Sequence, residues 1–168
     1  MNGRSLSTTA VTVLAAVIVA SALASCGGQS GAPAGSNARL RLAGTTLSGA
    51  SFDLASYRGR PVVINFFAQW CPACNEEAPD VAAFARAHPN VAFVGVDVND
   101  KVAGGKAFVR KYGIAFTVVS DSKGAIASSY GVVGIPTTFF VDRYGVERAV
   151  TVGASTREGF EEKLKKVS

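Results

Sequence analysis

Two cysteines two residues apart, in Trp70-Cys71-Pro72-Ala73-Cys74, carry the most specific chemistry in the chain. They lie where an apolar run, Val62–Phe67, meets a segment that reads as a helix. A strand feeding Cys-x-x-Cys at a helix start is the signal for a dithiol redox site. Disulfide exchange needs an exposed thiolate to attack a sulfur and a second thiol placed to resolve the mixed disulfide. Cys71 meets the first need, because the unpaired N–H groups and dipole of a helix N-terminus favour its anion. Cys74 lies within the first turn and can reach back to close the ring. Pro72 suits the first helical position, where no N–H is needed.

Other uses of such a pair fit less well. Structural zinc needs two more ligands, and the chain offers only His88 and Cys26, so no metal site is expected. Haem attachment needs His directly after the second cysteine, where this chain has Asn75. A purely structural disulfide closing so tight a loop would stabilise little.

The elements that must position this pair occupy only part of the 168 residues. With 48% hydrophobic residues the chain can bury a proper core, and its length suits one domain with an excess. The net charge of +5 comes from basic residues scattered from Arg39 to Lys166, not clustered with aromatics, which argues against a nucleic-acid partner. The excess sits at the N-terminus. Arg4 provides a positive start, residues 10–24 are apolar or small, and Leu23-Ala24-Ser25-Cys26 closes the run. That pattern reads as a secretory signal over residues 1–25. The run is shorter than the roughly 20 residues a membrane-spanning helix needs, with an uncleaved anchor as the alternative. Leu-Ala-Ser-Cys also resembles a bacterial lipobox, which would make Cys26 the lipidated first residue of the mature protein. Ordinary cleavage, leaving a free thiol there, is the alternative. Of three cysteines in an exported chain, lipidation of Cys26 leaves Cys71 and Cys74 as a closed pair. Residues 27–37, rich in Gly, Ser and Ala, read as a flexible tether after Cys26, and the folded domain is expected over 38–168.

Within that domain, Leu40 and Leu42 with Phe52 and Leu54, across a Gly-containing turn, suggest an antiparallel hairpin. Val62–Phe67 and residues 91–96 are continuous apolar runs, as expected of strands covered on both faces. A helix follows Pro72, with Val81, Phe84 and Ala85 at helical spacing and a kink expected at Pro79. Residues 101–112 read as a helix ended by Gly113, 116–119 as a strand, 124–130 as a short helix and 137–141 as a strand. A turn over 142–145 leads into a strand to 152, and Ser155 with Glu158 forms a capping box for a last helix striped by Phe160, Leu164 and Val167. The alternation of strands and helices implies an α/β domain with a mixed central sheet flanked by helices.

At this level of detail the sequence resembles the thioredoxin superfamily, and within it the membrane-anchored TlpA/ResA/DsbE-like thiol-disulfide oxidoreductases. The resemblance rests on residues 63–74, on Glu77-Ala78-Pro79 and on residues 130–142, which include Gly134-Ile135-Pro136-Thr137-Thr138. It implies a thioredoxin fold, with Pro136 a cis-proline facing the dithiol; from the residues alone Pro136 could equally be an ordinary strand-start proline. It further implies that the substrate segment lies against Trp70, Pro72, Ala73, Ile135, Pro136 and Thr137. Thioredoxin itself has a buried Asp where this chain has Asn65, and an amide cannot accept a proton. Glu77, three residues after Cys74, matches a Glu of the TlpA/ResA-like pattern and is a candidate for proton transfer at Cys74. The alternative is a solvated first-turn acid. His88 reads as a surface residue. Thr137, where the cytochrome-maturation reductases of this group often have an acid, weakens assignment to that pathway.

The expected protein is therefore lipid-anchored on the outer side of a bacterial cytoplasmic membrane. It exchanges disulfides with exported proteins, is reset by a membrane electron donor or acceptor, and has no cofactor beyond its own disulfide. A dedicated reductant of c-type cytochrome maturation would share every residue named. A peroxiredoxin would need Thr three residues before Cys71, where the chain has Ala68, and a copper-binding assembly factor would need a well-placed His or Met.

Overall fold

A computed structural model describes residues 39–167. The expected signal segment, Cys26, the tether and the domain start at Ala38 lie outside the described residues. In order, the elements are β1 (Ala43–Thr45), β2 (Ser51–Asp53), a 3-10 turn (Leu54–Tyr57), β3 (Val62–Phe67), α1 (Pro72–Ala87), β4 (Ala92–Val98), α2 (Val102–Tyr112), β5 (Thr117–Asp121), α3 (Ala125–Ser129), β6 (Thr137–Val141), β7 (Glu147–Val152) and α4 (Arg157–Leu164).

Five strands form one sheet in the order β5-β4-β3-β6-β7. The β3–β4 and β4–β5 pairs are parallel, while β3–β6 and β6–β7 are antiparallel, so the sheet is mixed as expected. Every residue of β3, β4 and β6 is buried, which explains their continuous apolar runs. The two-residue period of a strand divides β3 between two cores. Ile64 and Phe66 join Phe52, Ala127, Tyr130 and Phe139 on one face. Val63 packs with Val81 and Phe84 of α1 and Phe160 of α4 on the other, and Phe67 packs with Ala78 of α1 and Phe108 of α2.

Phe84 is the centre of the second face, with its ring against Phe93, Phe160 and His88. Phe84→Ala should lower unfolding stability by about 3–5 kcal/mol, because so enclosed a site has little room to collapse. Urea unfolding of the oxidised protein checks this.

Two local expectations shift. The hairpin exists, but its strands are β1 and β2, with Ala43 opposite Asp53. Leu42 and Leu54 flank it, joined by one backbone bond of 2.8 Å, while Leu40 instead donates its N–H to Gly145 O at 2.8 Å. Alternation identified the inward side chains, but the partner of Leu40 is a turn a hundred residues away in the chain. The start of α4 is offset by one residue: Thr156, not Ser155, is the cap, its Oγ1 accepting from Gly159 N at 3.2 Å. The Ser155 N–H is engaged elsewhere, at the candidate site. Helix α1 continues through Pro79, and Gly113 ends α2 in a left-handed conformation (φ 61°).

Candidate active site

Helix α1 begins at the dithiol. Cys71 is its N-cap, Pro72 its first residue, and the two cysteines are joined in a disulfide with Cα atoms 5.2 Å apart. The Cys74 N–H points at Cys71 Sγ at 3.1 Å, so a helix-terminal donor faces the sulfur expected to become the thiolate. Both sulfur-bearing residues are buried, Cys71 at 4% and Cys74 at 2% exposure, whereas Pro72 is exposed and Ala73 partly so. An approaching partner therefore meets Pro72 and Ala73 with Cys71 beneath them.

Asn75, read from sequence only as the residue excluding haem attachment, ties this turn to its surroundings. Its Nδ2 donates to Gln69 O and Cys71 O, each at 2.8 Å. Its Oδ1 accepts from Tyr112 OH at 2.7 Å and Lys111 Nζ at 3.2 Å, both at the end of α2. Nothing local marks partners so distant in sequence. Asn75→Ala should cost about 1–2 kcal/mol of stability, as the partly buried Cys71 carbonyl and Tyr112 hydroxyl lose their partner. Hydrogen exchange of the Cys71–Cys74 amides should rise with it.

The opposite wall is the loop before β6. The Ile135–Pro136 peptide bond is cis, and Ile135 O lies 3.6 Å from Cys71 Sγ, a contact and not a hydrogen bond while the sulfur is in the disulfide. Thr137 is buried, its hydroxyl donating to Gly134 O at 2.7 Å, so it shapes this loop from below. Trp70 is 55% exposed and Val133 95% exposed, and between them and Ile135 runs a groove of about 290 Å³ that also meets Asn99, Ala127 and Ser128. Val133 was not singled out from the sequence; one valine in a Gly-Val-Val-Gly stretch carries no sign of its exposure. Trp70 is held by its indole N–H, which donates to Asn99 O at 3.2 Å.

Glu77 is not a solvated acid. It is 4% exposed, with Oε1 accepting from Ser155 N at 2.9 Å and Oε2 from Asn65 Nδ2 at 3.2 Å. Asn65 Nδ2 also donates to Thr138 Oγ1 at 2.9 Å, so β3, β6, α1 and the α4 approach meet at this carboxyl. Burial pushes its pKa up to about 7; the bonds from Ser155 and Asn65 oppose the rise and nearby Asp80 adds to it. The amide at position 65 thus serves as a donor that orients an acid coming from α1. His88 lies at the far end of α1, paired with Glu161 at 3.3 Å and away from the dithiol.

With this geometry in view, the AhpC/TSA family model matches residues 36–150. The chain belongs to the AhpC/TSA family. Among curated members of related sequence, the Mycobacterium tuberculosis protein named soluble secreted antigen MPT53 is 44% identical over 102 residues, 61% of this chain. The match spans 59% of the length of MPT53. Thiol-disulfide oxidoreductase ResA of Bacillus cereus is 32% identical over 126 residues, covering 74% of this chain and 73% of ResA. A solved secreted disulfide oxidoreductase of Mycobacterium tuberculosis, described as homologous to E. coli DsbE, superposes with a TM-score of 0.69 at 35% identity, covering 74% of this chain and 94% of that one. MTB dsbF gives a TM-score of 0.72 at 35% identity, covering 77% and 96%. This AhpC/TSA family member thus has the thioredoxin fold and a disulfide-bonded Cys-x-x-Cys, and its relatives include ResA- and DsbE-like thiol-disulfide oxidoreductases. No helix among the described residues is long and apolar enough to cross a membrane.

Proposed function

We propose that this protein is an exported thiol-disulfide oxidoreductase, held to the outer face of a bacterial cytoplasmic membrane by a lipid on Cys26. Its substrates are exported proteins bearing disulfides or thiols. The observation that carries the reading is the Cys71–Cys74 pair at the start of α1, with Cys71 Sγ 3.6 Å from Ile135 O of the cis Ile135–Pro136 peptide and beside a groove rimmed by Trp70 and Val133. The name of MPT53, a soluble secreted antigen, agrees with export, and that of ResA, a thiol-disulfide oxidoreductase, with the reaction.

In the reducing direction, the Cys71 thiolate attacks one sulfur of a partner disulfide and expels the other as a thiolate. The Cys74 thiolate then attacks Cys71 Sγ, releases the partner's second thiolate and leaves the Cys71–Cys74 disulfide. Two electrons pass to the partner, and a membrane donor restores the dithiol; the oxidising direction reverses each step. Trp70, Pro72, Ala73, Ile135, Pro136 and Thr137 position the partner segment. Glu77 handles the proton of Cys74, since an acid poised near neutrality is matched to that task. No metal or organic cofactor takes part.

The test is equilibration of the pair with glutathione, read by mass spectrometry after alkylation. A potential near roughly −270 mV marks a reductant, and one near roughly −120 mV an oxidant. A pair that fails to exchange with glutathione or any protein disulfide would overturn the function.

A further inference from the structure

The last but one residue of strand β4 is an acid that the chemistry above does not use. Asp97 stands beside Phe67 of β3 in the sheet register, is 0% exposed, and receives no hydrogen bond from a donor group on either carboxyl oxygen among the described residues. Parallel pairing puts it on the same sheet face as Phe67, the face that carries α1 and the dithiol. Helix α2 approaches it with a glycine: a Cβ at Gly105 would overlap Asp97 Oδ2 and crowd Leu47. An ionised carboxylate without donors in such surroundings is costly, and a neutral one is far less so.

The charged groups around it are few. The β3 and β1–β2 neighbours, Phe67 and Leu47, are apolar, and the β5 neighbours in register are Ser120 beside Asp97 and then Asp121, whose carboxylate already accepts from the Ile126 and Ala127 amides. On α2 and its cap, Lys101 and Lys106 are exposed, and on α1 Glu77 is occupied by Asn65 and Ser155. The group that acts on Asp97 is the carboxyl of Asp100, three residues on: a Cβ at Gly104 would meet both Asp100 oxygens as one at Gly105 would meet Asp97 Oδ2, so the two carboxyls lie over adjacent residues of α2, and Asp100 bears on Asp97 both as a like charge and as a hydrogen-bonding partner.

Asp100 in turn holds the segment leading into the dithiol. Its Oδ2 accepts from Gln69 N at 3.1 Å and its Oδ1 from Lys101 N at 2.7 Å, while Asn99 O accepts from the Trp70 indole. The two residues before Cys71 therefore both hang on the end of β4.

We propose that Asp97 is a positioning residue for disulfide exchange: it keeps its proton, directs it to Asp100, and so steadies the carboxylate that anchors Gln69 and the loop presenting Cys71. The role rests on the reading of Cys71 and Cys74 as the exchanging dithiol. One proton between two carboxyls avoids two like charges in a dry site. When that proton leaves for solvent, two anions face each other, Asp100 is driven off, and the Gln69 N–H loses its acceptor. Burial, with Asp100 adding to it, pushes Asp97 up to about 7, so the change falls in the neutral range.

Trp70 is the one tryptophan in the chain, so its fluorescence reports on this loop. In the oxidised protein the thiols are silent. The oxidised wild type should show a reversible Trp70 step centred near pH 7. Asp97→Asn, whose amide can donate to Asp100 but cannot ionise, should lack the step, while Glu77→Gln should keep it. In reduction of a model disulfide, Asp97→Asn should match the wild type at low pH and exceed it roughly fivefold above the step, about one hydrogen bond's worth. A wild type without the step, or an Asp97→Asn protein that retains it, overturns the proposal. Should that variant fail to fold, carbon NMR of the wild-type Asp97 carboxyl decides: a titration near pH 7 supports it, and one at ordinary carboxylate pH overturns it. A wild type that shows the step yet exchanges no disulfide removes the positioning role through failure of the dithiol reading, with the proton-linked loop left intact.

Discussion

Cys71→Ser will abolish disulfide exchange, by on the order of 10⁴-fold or more, the scale seen when an enzyme loses its nucleophile. The physical reason is that only a thiolate attacks sulfur at a useful rate, and a serine hydroxyl does not ionise at neutral pH. Cys71 is the sulfur at the helix N-terminus, with the Cys74 N–H 3.1 Å away, on the side of the loop that carries Ile135 and Pro136. Cys74→Ser will fail differently. Attack by Cys71 still occurs, but nothing resolves the product, so the partner stays attached through Cys71. Insulin reduction measures the first loss, and mass spectrometry of non-reducing adducts measures the second. A Cys71→Ser protein keeping a tenth of the wild-type rate, or adducts that form through Cys74 instead, would contradict this assignment.

Glu77→Gln will flatten the acid side of the stability profile. In the unfolded chain Glu77 titrates near about 4.3, and in the folded protein burial holds its pKa at about 7. Between those values the folded state keeps a proton that the unfolded state has lost. Stability is therefore greatest below the unfolded value, falls as pH rises through the window, and levels off above about 7. The displacement corresponds to about 3 kcal/mol, an order-of-magnitude figure, between pH 4.5 and 7.5. Asp97, displaced in the same direction, adds a second decline that the variant keeps. Urea midpoints of the oxidised protein across that range should fall steeply in the wild type and less steeply in Glu77→Gln. Gln brings its own penalty, since its NH₂ must face either Ser155 N or Asn65 Nδ2 where the carboxylate faced both as acceptor. That penalty is the same at every pH and leaves the slope as the readout. Under the proton-transfer role proposed for Glu77, the resolving step in Glu77→Gln will slow and lose its dependence on pH near neutrality. Equal slopes in the two proteins would mean that Glu77 is ionised in the folded state.

How much of this could be read from the chain alone depends on how local the information is. Cys71 and Cys74 at a helix start, the apolar runs of β3 and β4, and the glycine that ends α2 are short-range patterns. The backbone enforces them within a few residues, and they appear where spacing and residue type put them. The thioredoxin-like arrangement followed from two such motifs held at a fixed separation. Boundaries proved softer, as at the hairpin and at the Thr156 cap, because neighbouring residues compete for the same capping or pairing role and packing elsewhere decides between them.

The site beyond its cysteines belongs to the tertiary structure. Glu77 sits at a position that suits a solvated acid equally well, until β3, β6 and the approach to α4 close over it and remove water from its carboxyl. Asn65 becomes a donor because its neighbours across the sheet and on α1 are acceptors, and Asn75 becomes a brace because α2 ends beside it. Asp97 falls just past the apolar run of residues 91–96 and carries no local sign of burial, yet in the fold Gly105 packs onto it and no donor reaches it. Residue type and spacing determine where a thiol and a helix terminus meet. Burial determines which acids hold their protons, and burial is a property of contacts between residues far apart in the chain.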